Sequence, residues 1–231
     1  MNMKKLLTTI GIAGALSVGM TQAQTLLTWD LSGVNSPATA PSTTTAANLD
    51  TTSGLNTLLK TGLGTVTANN SFNSNNWNLT DTFDESNKYI SFTLQASSGY
   101  EATFESIQYV INGSPSGPGT GRWGYSINGG SFVLQDTFTI PNSLPGSLAT
   151  WDFTDFTTDQ DVEFRFWAYG TVSTSGGTSA AAGSVRVANI SGNDLVLNGS
   201  VAAIPEPSSL AFIGLVGMGF AGYVLRRRHR A

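Results

Sequence analysis

Apolar and polar residues alternate over much of the chain between residues 25 and 201. The clearest case is residues 89–94, where Ile90, Phe92 and Leu94 alternate with polar neighbours. A period of two is typical of a strand with one buried face. By the same pattern and by β-forming composition we predict further strands at residues 25–31, 106–111, 121–127, 131–134, 149–156, 162–169, 184–190 and 194–201.

Turn-forming residues separate these segments. The strongest hairpin signal is Asn128-Gly129-Gly130, which lies between two predicted strands. Residues 36–47 are small and polar and predict an exposed loop. Residues 55–63 are weakly patterned and fit a short helix or a turn.

Eight or nine short strands without an amphipathic helix predict an all-β fold. The spacing favours an antiparallel β-sandwich that is jelly-roll-like, formed by one ectodomain at residues 24–203. A parallel α/β fold is excluded because its crossover helices are missing.

The N-terminus has the three parts of a secretory signal peptide. Residues 1–5 carry two lysines, residues 6–20 are mainly apolar, and small residues stand at the third and first positions before Gln24. We therefore predict a signal-peptide helix at residues 1–23, cut by signal peptidase between Ala23 and Gln24.

The C-terminus combines a proline-rich joint, an apolar run and a basic tail. Pro205-Glu206-Pro207 precedes the apolar residues 210–225, and Arg226, Arg227, Arg228 and Arg230 follow them. Sixteen helical residues span about 24 Å, short of the roughly 30 Å hydrocarbon core. Two serines and snorkelling arginines extend the predicted transmembrane helix to residues 208–225. The positive-inside rule places the arginines in the cytoplasm and the predicted ectodomain, called the body below, outside.

This order of Pro-Glu-Pro, short span and arginine tail resembles the PEP-CTERM protein-sorting signal. The resemblance covers about the last 27 residues, 205–231, and predicts a sorting signal at residues 204–231. It implies an exported protein of a Gram-negative bacterium that makes exopolysaccharide, and processing by exosortase, a membrane-embedded protease, near Pro205, Glu206 and Pro207. A plain tail anchor is the alternative.

Charge and composition narrow the function of the body. Fifteen acidic residues stand against five basic ones between Gln24 and Pro207, so phosphate backbones would repel it and nucleic acid is excluded as a partner. The chain has no cysteine, and its one histidine is His229. Thiolate metal sites and histidine-activated nucleophiles are therefore excluded in the body, and we predict that it is not an enzyme.

Acidic residues are densest at one segment, formed by Asp152, Asp155, Asp159, Asp161 and Glu163. The preferred interpretation is a solvated strand face with a cross-strand ion pair. The alternatives are a calcium site at Asp159 and Asp161, calcium being the one cofactor considered, and a glycosidase carboxylate pair.

Aromatic residues supply the second candidate site. Trp123, Tyr125 and Trp167 would stack on sugar rings if the fold exposes them, and they would fill the core if it does not.

The closing strands, around residues 163–166, 183–190 and 195–199, resemble those of jelly-roll domains in carbohydrate-binding modules and PEP-CTERM ectodomains. Such domains often place an aspartate in a calcium-supporting position. Asn189 stands there in this chain.

These features predict a non-enzymatic protein that is exported, anchored by its C-terminal helix, and then sorted to the cell surface or extracellular matrix. The expected partners are signal peptidase, an exosortase-like membrane protease and exopolysaccharide, in a biofilm. A lectin-like carbohydrate-binding module is the alternative, and a carboxylate-based glycosidase is the third interpretation.

Overall fold

The computed structural model describes residues 24–145 and 147–205, which form sixteen strands and no helix. The strands are β1 (Gln24–Trp29), β2 (Thr39–Pro41), β3 (Thr44–Thr45), β4 (Thr57–Thr61), β5 (Gly64–Thr65), β6 (Ser71–Asn75), β7 (Tyr89–Leu94), β8 (Tyr100–Tyr109), β9 (Ile111–Gly113), β10 (Pro118–Ile127), β11 (Val133–Leu134), β12 (Phe138–Thr139), β13 (Ala149–Thr158), β14 (Val162–Ser173), β15 (Val185–Ala188) and β16 (Leu195–Ala203).

The strands form three sheets, and within each sheet every pair of neighbouring strands is antiparallel. The first sheet has the order β13-β8-β16-β1-β3. The second has the order β11-β10-β14-β7-β4-β2, with β12 paired to β10. The third has the order β5-β6-β15-β9. The predicted all-β, antiparallel class is confirmed.

An aromatic core joins the first two sheets face to face. Trp29 of the first sheet lies 4.8 Å from Phe92 of the second, centroid to centroid. Phe104 and Phe164 make a similar contact between the sheets at 6.1 Å. All four rings are buried. The two sheets therefore pack as a β-sandwich.

The third sheet was not expected from the sequence. It arises where β8 ends at Tyr109 and the chain continues into β9 after Val110. The Val110 N–H donates to the carbonyl oxygen of Asp194, directly before β16, at 3.0 Å, and the Val110 carbonyl oxygen accepts from the Ala188 N–H of β15 at 3.0 Å. Through Val110 one extended segment therefore serves two sheets.

The strongest local patterns are confirmed. Ile90, Phe92 and Leu94 are fully buried on β7. At the predicted hairpin, Asn128 and Gly129 both have positive φ, 50° and 68°. Positive φ at both central residues defines a type I′ turn. The returning strand β11 is only two residues long, shorter than predicted.

Two predicted irregular segments contain strands instead. Residues 36–47 include β2 and β3, and the Trp29 indole N–H donates to the Ala40 carbonyl oxygen at 3.0 Å. Residues 55–63 include β4, which lies between β7 and β2 with Leu58 buried. Both predictions were wrong because neighbouring strands, which the local composition does not encode, stabilise these segments.

Candidate functional site

The C-terminal joint lies at the end of the last strand. β16 lies between β8 and β1 in the first sheet and ends at Ala203. Directly beyond it, the Ile204 N–H donates to the Gly99 carbonyl oxygen at 2.9 Å. The sandwich therefore continues to the residue before Pro205.

Gln24, the predicted first residue after signal-peptide cleavage, begins β1. It pairs with Gly199 of β16, so the start of the described chain lies beside its last strand. No helix in residues 24–145 and 147–205 is long and apolar enough to cross a membrane.

Several predicted features of the two ends lie outside the described residues. They are the signal peptide with Ala23, the motif residues Glu206 and Pro207, the span at 208–225, and Arg226, Arg227, Arg228 and Arg230.

The three predicted sugar-stacking aromatics do not form an exposed surface. Trp123, Tyr125 and Trp167 have exposed fractions of 0%, 7% and 1%. Trp123 and Tyr125 face the core, where Tyr125 stacks on Phe156 of the opposite sheet at 4.5 Å. Large rings are needed to fill a sandwich of this size, and the core interpretation holds for both.

Trp167 lies on the outer face of the second sheet, as alternation predicts, yet it is covered. Phe83 and Phe132 contact it edge-on at 5.3 and 5.2 Å, and Tyr89 does so at 6.3 Å. These rings come from segments distant in sequence from β14. A stacking role at Trp167 is therefore corrected to a packing role.

Arg165 holds this aromatic cover in place. Its guanidinium lies 4.0 Å from the Tyr89 ring and 4.6 Å from the Phe132 ring. It donates two 2.8 Å hydrogen bonds to the carboxylate of Glu163 and one of 3.1 Å to the Glu85 carbonyl oxygen. The ion pair lies within one strand, so the predicted cross-strand pair was wrong.

The acidic segment Asp152–Glu163 runs from the edge strand of the first sheet, β13, into the start of β14. Asp152 and Asp155 are exposed on edge strand β13, whose pairing with β8 shifts between Asp152 and Phe156. Charge and a bulge on an edge strand oppose pairing with a second chain. Asp159 and Asp161 are exposed in the loop that follows. Among the described residues no three metal-ligating side chains come together.

Asn189 lies between two carboxylates. Its amide nitrogen donates to Asp194 Oδ2 at 3.1 Å and lies 3.5 Å from Asp30 Oδ1. A neutral hydrogen-bond donor thus bridges the two acids, a role that a cation fills elsewhere in proteins.

Asp194 is a buried junction that sequence analysis missed. Its carboxylate accepts hydrogen bonds from the backbone N–H groups of Leu31 and Ile190 at 2.8 and 2.9 Å. Burial raises the pKa of this carboxyl above its ordinary value, and the Asp30 charge adds to the effect, while the hydrogen bonds oppose it. Its position just before an apolar strand was the only signal in the sequence.

A groove at one edge of the sandwich was also missed. It is lined by Leu134 at the end of β11, by Gln135 and Asp136 directly after that strand, and by Thr150, Trp151 and Asp152 of β13. Trp151 is 8% exposed, and Asp136 and Asp152 are exposed carboxylates.

Only one end of the Gln135 amide forms a hydrogen bond with the described residues. Its Nε2 donates to the Tyr109 hydroxyl at 3.2 Å, whereas its buried Oε1 accepts no hydrogen bond from the described residues. The groove lining therefore combines the largely buried Trp151 ring with the exposed carboxylates of Asp136 and Asp152 and has no basic side chain.

Comparison with known proteins adds one specific finding at the C-terminal joint. No curated protein matches this sequence. A solved chain described as "CBM4 structure and function" is similar at 10% sequence identity and a TM-score of 0.34, covering 65% of this chain and 92% of that chain. A family model for the PEP-CTERM protein-sorting motif matches residues 203–228. The protein therefore carries a PEP-CTERM sorting motif that begins at Ala203, the last residue of β16.

Proposed function

We propose that this is an exported, non-enzymatic β-sandwich protein that exosortase sorts to the cell surface or extracellular matrix, where it associates with exopolysaccharide. The observation that carries the proposal is the sorting motif at residues 203–228. The motif implies export and C-terminal membrane anchoring before processing. The signal peptide predicted at residues 1–23 supplies the export step.

The fold suits a domain displayed in this way. Among the long strands, β7, β10 and β14 lie in the second sheet and β8, β13 and β16 in the first, so the chain crosses between the sheets at each step. Alternation of this kind supports a jelly-roll-like connectivity. The C-terminal end of β16 leads directly into the sorting motif, which contains the predicted membrane anchor.

Transfer of the motif to another protein tests the sorting proposal. Residues 203–231 fused to an exported reporter are expected to give a membrane-held precursor, which becomes smaller only in a strain that contains exosortase. Immunoblots of membrane and medium fractions measure both forms. Identical shortening in an exosortase-deficient strain would contradict the proposal.

Two variants of the fusion separate the parts of the signal. Alanine at Pro205, Glu206 and Pro207 is expected to leave an inserted but uncut precursor, since the joint could then extend the helix. Glutamine at the four tail arginines removes about 1 kcal/mol of lipid attraction per residue and is expected to reduce retention. Equal accumulation of both variants as full-length membrane protein would contradict these roles.

Saccharide binding is the second candidate function, and the edge groove between β11 and β13 favours it. The exposed carboxylates of Asp136 and Asp152 accept hydrogen bonds from sugar hydroxyls, and the slightly exposed Trp151 ring offers an apolar contact. Because Asp136 and Asp152 line the groove and no basic residue does, a neutral saccharide fits better than an acidic one.

A glycan array with neutral and uronic-acid oligosaccharides tests this candidate. Replacing Asp136 or Asp152 with alanine is expected to weaken binding of a neutral hit about tenfold, from about 1.5 kcal/mol for a hydrogen bond to a charged group. Asp155→Ala, on the same edge strand but outside the groove lining, is the matched control. If a glycan binds equally well to both groove variants, its binding site lies elsewhere on the protein. Shortening of the oligosaccharide by the protein would favour the glycosidase alternative.

A further inference from the structure

Within the described residues, the final residues of β16 pair on the β8 side. On the β1 side, the described pairing of β16 reaches Gly199, opposite Gln24, the first residue that the structure describes. On the β8 side, pairing continues from Ser200, opposite Thr103, to Ala203, opposite Tyr100.

One more hydrogen bond extends this ladder to the edge of the motif. The Ile204 N–H donates to the Gly99 carbonyl oxygen at 2.9 Å. Gly99 is held in turn by the 97–100 turn, in which the Tyr100 N–H donates to the Ser97 carbonyl oxygen at 2.9 Å. Ile204 is therefore part of the folded domain although the sorting motif includes it.

Pro205 follows directly and belongs to no strand. It has no N–H to donate to a neighbouring strand. Ile204 is therefore the last described residue that pairs through a backbone donor.

A protease binds its substrate as free, extended chain. Residues paired in a sheet reach that state only by local unfolding, whereas exposed termini and loops are cut directly. The ladder through Ile204 therefore shields the peptide bonds of Ser200–Ile204.

We propose that the sandwich sets the N-terminal limit of processing: the bond that is cut lies C-terminal to Ile204, and the mature protein keeps Ala203 and Ile204. This inference rests on the proposed sorting by exosortase. In the step, a backbone C–N bond breaks, the carbonyl carbon takes the oxygen of water or the nitrogen of an amine acceptor, and the leaving nitrogen takes the proton.

A digest that needs no exosortase tests the shielding directly. The full chain in detergent is treated with proteinase K, and the mass of the protected fragment gives its C-terminus. We expect an end at Ile204 or later. A fragment ending between Ser200 and Ala203 would overturn the inference.

An insertion tests whether the ladder is the cause. Six glycine and serine residues between Ala203 and Ile204 are expected to move the proteinase K end into the insert. The same insert between Gly176 and Gly177, in an exposed turn, is the matched control and should leave the C-terminal end unchanged. An uncut insert after Ala203 would contradict the inference.

The mature protein from an exosortase-containing strain gives the second measurement. Its intact mass is expected to place the C-terminus beyond Ile204, and a mature form that lacks Ile204 would overturn the inference. If that strain shows no processing at all, the proposed function fails, and the digest alone decides the shielding.

Discussion

Replacing Phe164 with alanine is expected to lower the free energy of unfolding by about 3–5 kcal/mol. Phe164 is fully buried on β14 and stacks on Phe92 at 5.2 Å. Across the sandwich it contacts Phe104 and Phe153, each at 6.1 Å. The aromatic neighbours cannot all close the space it leaves, so a cavity adds to the lost burial. A loss of this size unfolds a marginal domain.

Urea unfolding of residues 24–205, followed by tryptophan fluorescence, measures this loss. Thr154→Ala is the control because Thr154 is exposed on edge strand β13, and its effect is expected within about 0.5 kcal/mol. A loss below about 1 kcal/mol at Phe164 would mean that the opposite face of β14, with Glu163 and Arg165, is the buried one.

Replacing Asp194 with alanine is expected to cost about 3 kcal/mol or more. The change leaves the buried backbone N–H of Leu31 and the partly buried N–H of Ile190 without acceptors, and a buried unsatisfied group costs about 1–3 kcal/mol. It also removes the acceptor of the Asn189 amide. The same urea experiment measures the loss, and Asp161→Ala, at an exposed carboxylate, is the control. A loss within the error of that control would contradict the junction role.

Asp194 also predicts a pH dependence. Because burial raises its pKa in the folded state, the folded protein binds this proton more tightly than the unfolded chain does. Its contribution to stability is therefore greatest below the unfolded pKa, about 4, and falls as pH rises through the raised value. Wild type should lose stability relative to Asp194→Asn as pH increases from about 4 towards neutrality. A constant difference between the two proteins would contradict this sign.

The strands predicted with most success are those with a local signature. Ile90, Phe92 and Leu94 lie on a run whose period of two holds for several residues, and all three are buried as that period predicts. The turn at Asn128-Gly129 was also predicted correctly, because few other residues tolerate positive φ at two successive positions. β2 and β4 lack such a signature, and their pairing with neighbours stabilises them.

The candidate sites divide in the same way. The sorting motif is a contiguous segment, and its residue types were sufficient to find it. The groove was not found, because Gln135, which follows edge strand β11, and Trp151, on edge strand β13, come together only in the folded sandwich. The burial of Trp167 could not be predicted either, because its cover by Phe83 and Phe132 depends on distant segments.

By itself the sequence determined the features that short stretches of chain encode: the all-β class, the hairpin at Asn128-Gly129 and the C-terminal sorting motif. Tertiary structure alone decided which outward side chains are covered, how Asp194 joins Leu31 to Ile190, and how far the ladder of β16 continues. The physical reason is that periodicity and turn chemistry act between near neighbours. Burial of an outward face and pairing between remote strands depend on contacts that exist only once the sheets have packed.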